Sequence, residues 1–299
     1  MRRLAAPLVA LAALASACAG GRQGSASDEQ VLRVGLIPNI APEEQRARYK
    51  PFAVYLEDAL GVDVELFVAS NYAGVVTALA SNRVDLAYLG GLTYVQAEQQ
   101  VELVPLVTEV DRETHTREYL SAVVVADDAP YRSLDDVLAE GGSFAFGDVS
   151  STSGSLYPRV MLVEAGADCS PQDLWSCPPL RQVSFTGGHD AAAQAVLSGA
   201  ADAAGVELRI LHRLERDGAV PAGALRVIED RSVMGYPWVA RSALGPQRHE
   251  AIVGAFTSIA DPVLLDLLRA ERYERVSAAD YDEIRAYSAD LGLLTVAGG

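Results

Sequence analysis

Basic residues are scarce in this chain. Among its 299 residues, 24 are lysine or arginine and 40 are aspartate or glutamate, which gives a formal net charge of -16 at pH 7. Such an acidic chain is poorly suited to nucleic acid or to an anionic membrane surface, and we expect it to bind neither polyanion. The overall field also cannot attract an anionic ligand, so an anion site would depend on local, buried donors.

Metal-binding and nucleophile signatures are also lacking. The sequence has four histidines and three cysteines, and no cluster of histidine with carboxylates suggests a metal for phosphoryl chemistry. The Gly-x-Ser-x-Gly elbow of serine hydrolases is absent as well. We therefore expect no metal, no cofactor and no enzymatic activity.

A long membrane-spanning run is missing at the N-terminus, where the apolar stretch Leu4 to Ala17 is too short to cross a bilayer comfortably. This stretch follows Arg2 and Arg3, a pattern typical of an export signal. It ends in Leu14-Ala15-Ser16-Ala17-Cys18, which resembles a bacterial lipobox and predicts lipidation of Cys18. Simple cleavage near Ala17 is the alternative. We expect residues 1–18 to be the signal and residues 19–30 a flexible tether, with the protein periplasmic or anchored outside the cytoplasmic membrane.

The two remaining cysteines, Cys169 and Cys177, bracket a short polar loop. In an exported chain such a pair is most simply a disulfide, and we expect this one to be structural.

Branched apolar runs alternate with amphipathic runs at a spacing of roughly 10–20 residues, which favours an α/β fold with mostly parallel sheets. Two consecutive α/β units are followed by segments that all read as helical from Pro246 onward. We predict two lobes with a cleft between them. The first lobe would comprise residues 31–119 and 236–299, and the second residues 120–235.

A hydroxyl-rich turn joins a predicted strand at Ser143–Phe146 to a predicted helix at Leu156–Ala165. Amide N–H groups at a helix N-terminus lack carbonyl partners and carry partial positive charge, and nearby hydroxyls add rotatable donors. Ser151, Thr152 and Ser153 could therefore hold a small oxyanion without formal positive charge. Alternatively, one of them only caps the helix and the others line a solvated turn.

Several segments, taken together and in order, resemble the phosphate, phosphite and phosphonate substrate-binding proteins of ABC importers, which have the type II periplasmic binding-protein fold. The resemblance covers roughly residues 31–260. The segments that carry it are Leu32-Arg33-Val34-Gly35-Leu36-Ile37-Pro38, Ser70-Asn71-Tyr72-Ala73-Gly74, Val84-Asp85-Leu86-Ala87-Tyr88-Leu89-Gly90, Ser151-Thr152-Ser153-Gly154, Gly188-His189-Asp190 and Ala201-Asp202-Ala203.

The resemblance implies which residues would contact the ligand. The serine-threonine-serine turn and His189 would hold the oxyanion, and Tyr72 and Tyr119 would wall the cleft. His189 could instead be a cap or a packed histidine, and both tyrosines could be core residues.

Relatives that bind aminoalkyl phosphonates add carboxylates for the ammonium group, and this chain departs from that pattern. An ungapped reading places Arg209 at one such position and a one-gap reading places Tyr236 at another, while Glu207 lies two residues from the first. Glu207 would repel an anion unless it is protonated or accepts a ligand hydroxyl. The departure favours phosphite, phosphate or a small alkyl phosphonate.

The resemblance therefore implies an extracytoplasmic solute-binding lipoprotein that captures a phosphorus oxyanion and docks on an ABC permease. Two alternatives remain at this stage. One is a lipoprotein that senses the ligand for a membrane receptor. The other is a phosphoesterase with Ser151 or Ser153 as nucleophile and His189 as base.

Overall fold

Residues 31–294 form two β-sheets flanked by helices in a computed structural model of the chain. The expected signal, Cys18 and the tether lie outside the described residues. In chain order the strands are β1 (Val31–Leu36), β2 (Asp63–Val68), β3 (Leu86–Tyr88), β4 (Leu103–Asp111), β5 (Glu118–Ala126), β6 (Ser143–Phe146), β7 (Gln182–Phe185), β8 (Ala203–Glu207), β9 (Leu225–Met234), β10 (Trp238–Arg241) and β11 (Ala270–Arg275). The helices are α1 (Pro42–Leu60), α2 (Tyr72–Ala80), α3 (Gly91–Ala97), α4 (Leu134–Ala139), α5 (Tyr157–Glu164), α6 (His189–Leu197), α7 (Leu208–Arg216), α8 (Gly245–Thr257), α9 (Pro262–Leu267) and α10 (Asp282–Asp290).

The two sheets define two lobes. The first lobe has the strand order β11-β4-β10-β3-β1-β2, and the second has the order β7-β6-β8-β5-β9. Both sheets are mixed, because β1–β2, β1–β3, β6–β7 and β6–β8 pair in parallel while the other neighbouring strands pair antiparallel. The two-lobed α/β fold is confirmed, but the expectation of mostly parallel sheets is wrong. The strands β5 and β10, each the first strand after the chain crosses from one lobe to the other, run antiparallel to both of their neighbours.

Alternation of side chains along β5 explains how the second lobe is built. Ala122 and Val124 face a core beneath α6 and α7, whereas Val123 and Val125 face a core beneath α4 and α5. The largest apolar cluster fills the first lobe and extends across the interface to Leu156, Tyr157 and Val160 of the second. The lobes are therefore in contact over packed side chains.

Two short linkers connect the lobes. The chain leaves the first sheet after Asp111 and enters the second at Glu118, and it returns between Met234 and Trp238. Glu118 and Met234 are register partners in the β5–β9 pair, and the Gly235 N–H donates to the carbonyl of Arg117 at 2.8 Å. The linkers thus run side by side. The residue limits predicted for the lobes stay a prediction.

The sequence did not indicate three local features of the fold, and the first of them corrects an expectation. The segment after Pro246 is not wholly helical, because β11 pairs with the neighbouring β4. Only Ala270 and Tyr273 of this edge strand are buried, and its charged residues conceal the strand pattern. Helix α4 was not predicted, although Ser133 and Asp136 form a capping box at its start. Helix α1 begins with Pro42, a residue suited to the first helical position, and its first turns are too polar to show an apolar stripe.

The expected disulfide joins Cys169 to Cys177 with an S–S distance of 2.04 Å. Buried Arg159, in the first turn of α5, donates from Nη2 to the Leu174 carbonyl and from Nη1 to Cys177 Sγ. The loop is therefore attached to the helix that follows the hydroxyl-rich turn.

Candidate functional site

The hydroxyl-rich turn is a short π-helical segment, Thr152–Leu156, that leads directly into α5. Ser151 caps this segment, because its Oγ accepts the Gly154 N–H at 3.0 Å. Thr152 Oγ1 accepts the Leu92 N–H of the first lobe at 2.9 Å. Ser153 Oγ is buried and has no hydrogen-bond partner among residues 31–294. Capping and donation coexist here, since a hydroxyl that accepts one bond can still donate another.

His189 lies against this turn. A Cβ added to Gly154 would stand 3.0 Å from His189 Cε1 and 2.9 Å from Ser151 Oγ. Only glycine at this position therefore leaves room for the His189 ring and the Ser151 hydroxyl to lie against the turn. His189 begins α6, and its N–H donates across the lobe interface to the carbonyl of Asn39 at 3.1 Å. The structure therefore brings together the serine turn and the histidine that the sequence singled out.

The tautomer of His189 follows from its contacts. Nδ1 accepts the backbone N–H of Glu207 at 3.1 Å, so it carries no proton. Burial lowers the pKa of His189 to about 4, and the ring is neutral at ordinary pH. The proton must then reside on Nε2, which is buried and unpaired within the described chain. His189 thus presents one neutral N–H donor.

Tyr72 and Tyr119 supply two phenolic hydroxyls. Tyr72 begins α2, where Asn71 caps the helix and the Tyr72 N–H donates to Asp148 Oδ2 at 3.2 Å. The Tyr72 hydroxyl lies beside Ser151 and that of Tyr119 beside Ser153. Burial raises the pKa of both phenols, so they stay protonated. Neither hydroxyl has a hydrogen-bond partner in the part of the chain that is described.

Tyr236 and Glu207 also lie in this interlobe region, but their polar ends are already paired. The Tyr236 hydroxyl donates to Glu207 Oε2 at 2.5 Å, and Arg209 Nε donates to Oε1 at 2.8 Å. Burial alone would raise the pKa of Glu207, but Arg209 and Arg269 outweigh it and lower that pKa to about 2. Glu207 is therefore an ionised carboxylate with both oxygens occupied.

Sequence reasoning missed Asn39 and the partners of Arg209. Asn39 is buried in the loop that follows β1, with the nitrogen and oxygen of its side-chain amide unpaired among the described residues, and its carbonyl accepts the N–H of His189 at the start of α6. Its place after a central strand is the one signal that could have indicated it. Arg209 Nη1 binds Glu109 at 3.1 Å and Asp111 at 2.9 Å, a pairing across the lobes with no sequence signature.

Two negative findings hold for residues 31–294. No group of three or more histidine, cysteine or acidic side chains is arranged to hold a metal ion. No helix there is long and apolar enough to cross a membrane.

Two α/β lobes that meet over a buried set of donors define a bilobed substrate-binding protein. The family model for "ABC transporter, phosphonate, periplasmic substrate-binding protein" matches residues 34–281, and the chain belongs to this family. The expected family is thereby confirmed. Its members are exported binding proteins that work with an ABC permease, so the chain is a binding protein and not an enzyme.

Two curated relatives have names that are consistent with this family. The chain is 29% identical to the phosphate-import protein PhnD of Mycolicibacterium smegmatis, over 95% of this chain and 94% of that protein. It is 25% identical to a probable ABC transporter phosphite binding protein, PhnD1, of Prochlorococcus marinus, over 86% of this chain and 89% of that one.

Solved structures show the same fold. PhnD1 from Prochlorococcus marinus in complex with methylphosphonate gives a TM-score of 0.77 at 24% identity, covering 88% of this chain and 99% of that chain. A binding protein component of an ABC phosphonate transporter from Pseudomonas aeruginosa gives 0.78 at 22% identity, covering 87% and 86%.

Proposed function

We propose that this protein captures a small tetrahedral phosphorus oxyanion between its lobes for import by an ABC permease. Phosphite, phosphate and small alkyl phosphonates are the candidate ligands. The observation that carries the proposal is the set of unpaired, buried donors around the turn at Ser151: Ser153 Oγ, His189 Nε2, Tyr72 OH and Tyr119 OH.

These donors would be satisfied by a ligand that has several hydrogen-bond acceptor atoms. Each of the four residues is at most 1 % exposed, and a buried donor left unpaired costs roughly 1–3 kcal/mol. A compact oxyanion offers several acceptor atoms within one small volume and could satisfy all four donors together. It would also lie at the N-terminal end of the helix, where the backbone partial charge is positive.

The donors are neutral, which suits a chain of this charge. His189 is uncharged, and the nearby cation Arg209 is already paired with Glu207, Glu109 and Asp111. In a buried, low-dielectric site neutral hydrogen bonds to an anion are strong. The names of the two curated relatives, which refer to phosphate and phosphite, point to the same ligand class.

The site does not support the phosphoesterase alternative. A general base must accept a proton, but His189 Nδ1 is occupied by the Glu207 N–H and Nε2 carries the proton. Without a base to take its proton, neither candidate nucleophile, Ser151 nor Ser153, would be activated.

We further propose that Cys18 is lipidated and tethers the protein outside the cytoplasmic membrane. The lipobox-like segment 14–18 supports this, and mass spectrometry of the protein from membranes should show a lipid-modified Cys18. An unmodified mature N-terminus elsewhere would contradict it.

Isothermal titration with phosphite, phosphate, methylphosphonate and sulfate tests the ligand class. At least one phosphorus anion should bind in a one-to-one complex. Ser153→Ala removes one buried donor and should weaken that binding roughly 10- to 100-fold. The exposed Ser258, which ends α8, provides the control, and Ser258→Ala should bind like the unmodified protein. Failure of every phosphorus anion to bind would refute the proposed function.

A further inference from the structure

Arg213 on α7 is a buried arginine without a partner among residues 31–294. It is 7 % exposed, and no hydrogen bond or ion pair joins its guanidinium to another of these residues. Two of the unpaired nitrogen atoms, Nε and Nη2, are themselves buried. A buried charge with unmet hydrogen bonds is costly, so we expect Arg213 to have a partner that is not one of these side chains.

Arg213 faces the first lobe. It lies one turn after Arg209 on the same face of α7, and Arg209 Nη1 binds Glu109 and Asp111 on β4 of the first lobe. The guanidinium of Arg213 is therefore directed to the interface between the lobes and not to the outer surface of the second lobe.

Other cations lie near this guanidinium. Arg48 of α1 reaches α7, because its Nη2 lies 3.3 Å from Asp217 at the end of that helix. Burial, together with the positive charges of Arg269 and Arg48, lowers the pKa of Arg213 to about 10. Both of those arginines belong to the first lobe, so like charges oppose one another across the interface.

Glu207 is the carboxylate that offsets this repulsion, but its oxygens are bound by other donors. Arg209 Nε lies 2.8 Å from Oε1, Arg269 Nη1 lies 3.5 Å from the same oxygen, and the Tyr236 hydroxyl donates to Oε2. Arg213 is therefore left without a counter-ion of its own in the described part of the chain.

The unpaired nitrogen atoms match a small oxyanion. Nε and Nη2 form one edge of a guanidinium, and this edge can donate two parallel hydrogen bonds to two oxygens of a carboxylate, sulfate or phosphate group. Arg48 Nε is also buried and unpaired within residues 31–294, as is Nε2 of Gln45, one turn earlier on α1. Water could accept these hydrogen bonds, but it would leave the charge of Arg213 uncompensated.

We propose that Arg213 anchors a second anion site between α1 and α7, in which its Nε–Nη2 edge holds two oxygens of a small oxyanion with Arg48 beside it. This site uses none of the donors assigned to the first. Arg213 comes from the second lobe and Arg48 from the first, so the site is complete only while the lobes are together. The oxyanion is either a free inorganic ion or a second anionic group of the captured ligand, and the latter source rests on the proposed function.

Thermal unfolding with sulfate as the probe tests the site itself. Potassium sulfate, balanced with KCl to constant ionic strength, should raise the melting temperature of Ser153→Ala, whose first site is weakened, in a saturable manner. Adding Arg213→Gln should remove the saturable part of this rise. Adding Arg216→Gln instead makes the same charge change at an exposed residue of the same helix and should preserve it. The same rise in all three proteins would overturn the proposal.

The stability of Arg213→Gln without sulfate separates an anion site from a structural role. The variant should melt at the same temperature as the unmodified protein or higher, because an uncompensated buried charge is removed and no partner is left behind. A lower melting temperature would contradict the proposal. Arg213→Lys keeps the charge without the planar fork and should bind sulfate about tenfold more weakly. If Arg213→Gln fails to fold, unchanged sulfate binding by Arg213→Lys overturns the proposal.

Titration calorimetry distinguishes the two sources of the oxyanion. If the ligand supplies it, phosphonoacetate should bind at least about tenfold more tightly than methylphosphonate, and Arg213→Gln should abolish that preference. If a free ion supplies it, replacing KCl by potassium sulfate should favour methylphosphonate binding more in the unmodified protein than in Arg213→Gln.

Identical behaviour of the unmodified protein and Arg213→Gln in both titrations would overturn this inference alone. Absence of binding by all phosphorus anions would instead refute the proposed function, and the unfolding experiment with sulfate would still decide whether Arg213 holds an anion.

Discussion

Among single side chains, His189 shows most directly how burial determines chemistry. Its pKa is lowered to about 4 because burial disfavours the imidazolium, and the Glu207 N–H blocks protonation at Nδ1. A form that admits ligand must expose this ring, and an exposed imidazole has a pKa near ~6.5. The closed form therefore binds fewer protons than the open form between about pH 6.5 and pH 4.

Ligand affinity should consequently fall as the pH decreases from about 6.5 towards 4. Above about pH 6.5 His189 is neutral in both forms, so it should not make the affinity depend on pH. We expect affinity to be lower at pH 4.5 than at pH 8, because the exposed ring of the open form must lose its proton before the lobes close over the ligand. His189→Gln offers a donor that does not titrate and should lose this component. Titrating both proteins with the same anion and taking the ratio cancels the ligand's own ionisation; a constant ratio would contradict the prediction.

At the same scale, the serine turn could be found from the sequence because hydroxyls at a helix start have a recognisable pattern. His189 was indicated by the resemblance of the segment Gly188-His189-Asp190 to the family. The pairing of Arg209 with Glu109 and Asp111 could not be found in either way, since those residues lie about a hundred positions apart in the chain. The unpaired side-chain amide of Asn39 could not be predicted for a similar reason, because the place of Asn39 in the site depends on its contact with His189 of the other lobe.

Among elements, the π-helical turn is the one on which the site depends. Gly154 lies where the turn meets His189, and a Cβ there would overlap Ser151 Oγ at 2.9 Å and crowd His189 Cε1 at 3.0 Å. A Cβ at Gly254, inside α8, would have no neighbour within 4 Å.

Gly154→Ala should therefore weaken oxyanion binding about tenfold or more, because small displacements of donors forfeit hydrogen bonds. Gly254→Ala should leave binding unchanged and stabilise the fold by roughly 0.4–1 kcal/mol, since alanine is favoured within a helix. Titration calorimetry and thermal unfolding of both variants provide the measurements. Unimpaired binding by Gly154→Ala would show that the turn tolerates displacement.

Most elements were predictable because their apolar periodicity is strong. Those that were missed or mistyped have weak periodicity for a physical reason: β11 is a charged edge strand, and the first turns of α1 are polar. Strand direction was not accessible in the same way, because periodicity reports which face is buried and not how the chain returns.

For the molecule as a whole, the net charge of -16 opposes the approach of an anion, even though the donors of the proposed site are neutral. Salt screens this repulsion, since the Debye length falls from roughly 20–30 Å near 20 mM to below about 10 Å near 300 mM. We expect the association rate constant to rise a few-fold over that range of KCl.

The dissociation rate constant should change little, because the bound anion would be enclosed among side chains at most 1 % exposed. Stopped-flow measurement of both rate constants tests this. A decrease in association rate with KCl would indicate local attraction by an unrecognised cationic surface.

The paired linkers described above restrict how the molecule can move. Because the Gly235 N–H is bonded to the Arg117 carbonyl and Glu118 faces Met234 in register, neither linker can flex independently of the other. Two adjacent linkers favour rotation of one lobe relative to the other about a single axis. They oppose twisting of the lobes about other axes and sliding of one lobe along the other. Each swing would then return Ser153 and His189 to the same opposing face of the first lobe, and the geometry of capture would be reproduced at every cycle.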